Sequence, residues 1–206
     1  IELMQKLGEI RMDRQGDIAG ARKVFEDVLE LEPGDDIAAR RLEHLYLDAG
    51  DLDALRNMFR ARKDIRSFVA LLGQYEPREP DVEKRVRLNL VMAETCREEL
   101  ADPVRATRFL AQAFSLDPSL TDVGRELLAT YTDSGDRAGA AEVLMQLATS
   151  ATSADERADL WRRRRDLLED LGRHGEAMQA GLELLRAAGS GETPAETIDR
   201  DRKSVV

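Results

Sequence analysis

Four sets of side chains in this sequence are of types and spacings that chemistry uses. His44 stands close to Glu43 and Asp48, the company a general base keeps. That role needs a nucleophile or an activated water within hydrogen-bond reach, and the sequence offers none. His174 lies between Gly172 and Gly175, where a capping or exposed role is expected. Cys96 is the one cysteine and has Glu94, Glu98 and Glu99 beside it. Negative neighbours hold a thiol protonated, so a reactive thiolate is not expected. The run Arg162-Arg163-Arg164-Arg165 would suit phosphates, but Asp159–Arg163, Arg162–Asp166 and Arg165–Glu169 are each four apart. That spacing predicts intrahelical ion pairs on a solvated face. Two histidines and one cysteine make a poor zinc set, so no metal is expected. There is no phosphate-binding loop, dinucleotide motif or serine elbow. The expectation is a protein without catalytic residues or a cofactor.

Composition narrows the partners. Among 206 residues, 31 Lys and Arg face 41 Asp and Glu, for a formal charge of −10. Nucleic-acid binding and docking on an anionic membrane both need the opposite balance. No apolar run approaches the ~20 residues of a membrane span. The chain opens at Ile1 with neither a start methionine nor a secretory segment, from which a piece of a longer polypeptide is expected; a cytoplasmic parent is the expectation, with an exported one left open by the missing native N-terminus.

The elements that must position these residues are helices. Ala, Leu, Arg and Glu dominate, aromatics are 4%, and nothing alternates like a strand for long. Sliding the sequence by 85 residues aligns Asp17/Asp102, Ala21/Ala106, Leu31/Leu116, Pro33/Pro118, Leu42/Leu127, Tyr46/Tyr131, Gly50/Gly135 and Asp51/Asp136. A finer unit places a small residue five positions before an inward one: Gly16–Ala21, Gly50–Leu55, Ala101–Ala106, Gly135–Ala140 and Gly172–Ala177. Apolar stripes flank each turn. Over 36–49 the stripe is Ala38, Leu42, Leu45, Tyr46 and Ala49; over 121–134 it includes Val123, Leu127 and Tyr131. Glycine at the turn adopts positive φ at little cost, the following Asp caps the next helix, and Pro33 and Pro118 close it. A hairpin of this kind leaves one apolar face open, so it must stack on its neighbour.

The pattern resembles the tetratricopeptide repeat. Residues 2–62 carry it best, with Leu7-Gly8, Gly16-Asp17, Ala21, Phe25, Leu29, Leu31 and Pro33, then Leu42, Tyr46, Gly50-Asp51 and Phe59. It returns over 86–149 and, with Trp161 at an aromatic position, over 155–188. The resemblance implies an all-α, right-handed superhelical solenoid of antiparallel helix hairpins, about 10–12 helices in all. The expected organisation is hairpins 1–2 over 1–62, an inserted short helix and proline-containing loop over 63–80, hairpins 3–4 over 81–149, a fifth hairpin over 150–188, and a linker with a short terminal helix over 189–206. The loop Gln74–Pro80, with two prolines, is expected to be non-helical.

In such folds the first helix of each hairpin lines the concave face. The resemblance therefore implies a protein-interaction scaffold that binds a peptide or partner helix there, through Arg40, His44, Leu47, Asp48, Arg125, Thr132 and Asp133. Arg40 and Arg125 coincide in the 85-residue slide, and guanidinium forks grip carboxylates, so an acidic partner is expected. The competing expectation is local pairing, Asp36–Arg40 and Asp122–Arg125. Two other roles fit the sequence less well: the regulatory arm of a larger enzyme, and an RNA-binding helical repeat. Replacing Gly135 by Val forces a β-branched residue to positive φ and should cost about 1 kcal/mol or more, read by thermal melting. An unchanged melting temperature would contradict the turn assignment.

Overall fold

The computed structural model describes residues 1–189, and in these residues every regular element is helical: eleven α-helices and one 3-10 turn. The chain divides into two compact units, Ile1–Pro80 with Glu94–Pro103, and Asp81–Ala93 with the residues from Val104 on. The first unit holds α1 (Glu2–Gln15), α2 (Ile18–Leu31), α3 (Asp36–Ala49), α4 (Leu52–Ala61) and α5 (Ile65–Tyr75). Helix α6 (Val82–Glu98) contributes to both. The second unit is built on α7 (Pro103–Leu116), α8 (Thr121–Ser134), α9 (Arg137–Ser150), α10 (Ala154–Asp170) and α11 (His174–Gly189). The linker and terminal helix expected beyond residue 189 lie outside the described residues.

Local chemistry sets the helix ends. Gly50 and Gly135 stop α3 and α8 in the left-handed region at φ 67° and 75°, which a residue with a Cβ enters only at a cost. The aspartate after each caps the next helix: Asp51 accepts from the Ala54 amide at 3.2 Å and Asp136 from the Gly139 amide at 2.9 Å. Ala101 takes the turn position at φ 51° without being glycine. One expectation needs correction. The segment 74–80 is not simply a loop, because α5 runs through Tyr75 and Glu76–Arg78 form a 3-10 turn. Pro77 sits in the first positions of that turn, where no amide donor is required.

Packing within each unit follows the sequence stripes. In the first, α1 packs on α2, α2 on α3, α3 on α4 and α4 on α5. Its core includes Phe25, Leu42, Leu55, Phe68 and Leu72, all fully buried, with the Phe59 and Phe68 rings 6.0 Å apart. In the second, α8 packs on α9, α9 on α10 and α10 on α11, over a core that includes Phe114, Leu127, Leu144, Trp161 and Leu168. The inward residues five positions after the turns are all buried, Ala21, Leu55, Ala106, Ala140 and Ala177 alike.

Close helix approach rests on two glycines. A Cβ added to Gly8 would meet the Phe25 ring at 2.7 Å, and one added to Gly124 would meet the Phe114 ring at 2.6 Å. Both rings are fully buried and have nowhere to go. Glycine to alanine within a helix ordinarily gains stability; here Gly8→Ala and Gly124→Ala should each lose about 1–3 kcal/mol by overpacking. Gly175→Ala, with open space around it, is the control and should leave the melting temperature unchanged or higher.

Candidate partner-binding surfaces

Helix α3 presents Arg40, His44 and Asp48 on one exposed stripe, each four residues from the next. Among the described residues none of the three makes a hydrogen bond or ion pair with a neighbour. The residues beside the stripe are engaged. Arg41 reaches Glu9 of α1 at 2.8 Å, and burial lifts the Glu43 carboxyl above its usual range against the pull of His44, Arg62 and Arg40. The expected Asp36–Arg40 pair does not form, because Asp36 is held by Arg62 at 2.8 Å. Arg62 also donates to the Pro33 carbonyl at 2.8 Å, fastening the end of α4 to the α2–α3 connection. Leu47 is only 9% exposed and belongs to the core; it supports the face from beneath.

On α8, in the second unit, Arg125 and Asp133 are exposed. Here the local pair does form: Arg125 meets Asp122 at 3.3 Å and Glu156 of α10 at 3.3 Å. The Thr132 hydroxyl donates to the Leu128 carbonyl at 2.6 Å, within its own helix. The two arginines that coincide in the repeat thus differ in state, Arg40 open and Arg125 paired.

The arginine run differs from expectation. Arg162 pairs with Asp159 at 3.3 Å and Arg165 with Asp166 at 2.6 Å, in place of the three i,i+4 pairs. Arg164 is no solvated residue: it is 5% exposed, donates through Nε to the Ala141 carbonyl at 3.1 Å and lies 5.7 Å from the Trp161 ring centre. Arg164 is therefore part of the α9–α10 packing, and its guanidinium also pairs with Glu176 of α11 at 3.7 Å. Cys96 is fully buried, His174 opens α11 in an exposed position, and no three metal-ligand side chains are grouped among the described residues.

Two features escaped the sequence reading. A groove of about 510 Å³ runs between α2, α3 and α4, with Leu29, Pro33, Ala54, Met58 and Ala61 along it. Its only sequence signal is that the outward α4 positions Ala54 and Ala61 are small. In the same unit lies a four-residue polar network. Arg22 donates to Glu26 at 2.8 Å and pairs with Asp51 at 3.1 Å, while its guanidinium carbon sits 4.9 Å from the Tyr46 ring centre. Tyr46 donates its hydroxyl to the same Glu26 oxygen at 2.8 Å.

Burial first, and then the carboxylate of Glu26, push the Tyr46 phenol well above its ordinary value, with Arg22 opposing. A raised phenol stabilises the fold fully below its unfolded value near pH 10, and that contribution is lost as pH rises toward the folded value. Tyr46→Phe should cost about 1 kcal/mol at neutral pH. Between about pH 10 and 11.5 the parent should lose stability more steeply than the variant in urea titrations. Parallel slopes would contradict the network.

No known protein-family profile matches the chain, and no curated protein matches it. Among solved structures the chain is similar to MamA (18% identity over 89% of this chain and 95% of that one, TM-score 0.33). It is also similar to a kinesin-light-chain-like protein of Podosopora anserina with nearly identical TPR-like repeats (15%, 93% and 96%, TM-score 0.33). A third is a thermophilic TPR protein of Thermus thermophilus (19%, 91% and 97%, TM-score 0.27). At these scores the chains do not superpose as wholes, and the repeat character stands on this chain's own turns, caps and stripes. Its helices follow one another as tandem hairpins joined by short turns.

Proposed function

We propose that the protein is a non-catalytic interaction scaffold whose first-helix surface holds a peptide or helix of a protein partner. The observation that carries this reading is the α3 stripe. Arg40, His44 and Asp48 are exposed on a helix whose other sides are locked into α2 and α4, and they make no hydrogen bond or ion pair among the described residues. A rigid helix with open polar groups gives up little conformational freedom when it binds. The Arg40 guanidinium offers a planar fork for a partner carboxylate, and His44 and Asp48 extend the contact by two turns. On α8, Arg125 would bind an acidic partner only by exchanging Asp122 and Glu156 for it. Its contribution is therefore smaller than that of Arg40, and Thr132 and Asp133 supply polar contacts at the rim.

Affinity purification with the intact chain tests the reading. Arg40→Glu alone should reduce capture of an acidic partner by about tenfold or more, the cost of reversing a charge at a contact, with circular dichroism unchanged. Arg125→Glu should have the lesser effect. Equal capture by Arg40→Glu and the parent would remove α3 as the binding face.

A further inference from the structure

The 85-residue repeat places the two units' Tyr–Asp pairs in the same local setting but fills the space beside them differently. Tyr46 and Asp51 correspond to Tyr131 and Asp136, and in both the aspartate caps the following helix with one oxygen. In the first unit the second Asp51 oxygen takes Arg22, whose guanidinium also covers the Tyr46 ring. The positions matching Arg22 and Glu26 are Thr107 and Ala111. Both are too short to reach, and the space is left as a cleft of about 560 Å³ between α7 and α8, with Tyr131, Asp136, Thr107 and Ala111 on its walls. Asp136 has no ion pair among the described residues.

We propose that this cleft is a receptor for a cationic side chain, an arginine or lysine supplied by another protein, which takes the place Arg22 holds in the first unit. The chemistry is that of the internal template. An aromatic face attracts a cation held above it, a carboxylate with a free oxygen takes the charge-assisted hydrogen bonds, and the flanking apolar wall covers the methylene stem. Burial and the nearby Asp136 charge hold the Tyr131 phenol above its usual value, so it stays neutral and its hydroxyl remains a donor and acceptor for the incoming group.

Two native cations stand close by. Arg108 lies at the cleft, but Lys23 occupies the matching position in the first unit and does not displace Arg22 from Asp51. Arg137 is turned to Asp170 at 3.8 Å. The formal charge of −10 draws basic partners toward the surface as a whole. This site is distinct from the α3 stripe and stands whether or not that stripe binds an acidic partner.

The test is nuclear magnetic resonance titration of the full chain with N-acetyl-arginine amide, and with its neutral isostere N-acetyl-citrulline amide. A single side chain should bind with a dissociation constant of about 1–10 mM, shifting amides over 104–112 and 130–139. The citrulline probe should bind at least tenfold more weakly. Asp136→Asn keeps a competent helix cap and removes the charge, so it should weaken the arginine probe by tenfold or more. A Thr107→Arg, Ala111→Glu double variant installs the first unit's pair; it should abolish the shifts and raise the melting temperature. Equal binding of the two probes, no saturable binding of arginine, or undiminished binding to Asp136→Asn would each overturn the proposal.

Discussion

At Gly8 and Gly124 an aromatic ring occupies the volume where a side chain would stand. That contact sets how near the α1 and α8 backbones come to α2 and α7, and the rest of each unit inherits the spacing. Phe25 and Phe114 are buried only because the facing backbone is bare there. Leu42 of α3 and Leu127 of α8 are buried in the same two cores. The polar residues are thereby turned outward on a rigid support. Surface ion pairs such as Arg60–Glu99 tidy this arrangement but add little to its stability.

Much of the fold was legible in the sequence because its signals are local. The bounds 36–49 and 121–134 match α3 and α8, since a glycine ends each helix and nothing inside them conflicts with the 3.6-residue period. Of the stripes, Ala38, Leu42, Leu45, Tyr46 and Leu127 are buried, whereas Val123 and Tyr131 are half-buried and Ala49 is exposed. Gly124 carried no such signal: its repeat partner is Ala39, and only the arrival of Phe114 across the packing shows why a side chain is excluded there. The 3-10 turn at Glu76–Arg78 escaped for the opposite reason. Proline forbids helix in the interior but is welcome in a first turn, and position within an element is not visible until the element ends are known.

The functional surfaces were less legible, because they depend on which charge finds which partner. Arg40 and Arg125 look alike in the repeat, yet Asp36 is taken by Arg62 while Asp122 keeps Arg125. The arginine run looked like a solvated face, and one turn of it, Arg164, is core. The Tyr46 and Tyr131 sites illustrate how a duplicated unit diversifies. Where the first unit has a long ion-paired couple, the second has Thr107 and Ala111, and an open cleft stands in place of the self-satisfied polar network.

The packing account rests most directly on the glycine–ring contacts, and proton spectra report them. Ring currents should move the Gly8 and Gly124 α-protons well upfield of ordinary helical glycines, with strong cross-relaxation to the Phe25 and Phe114 ring protons respectively. Unshifted α-protons without those cross-peaks would mean that the helices do not approach as described, and the hairpin packing would have to be abandoned.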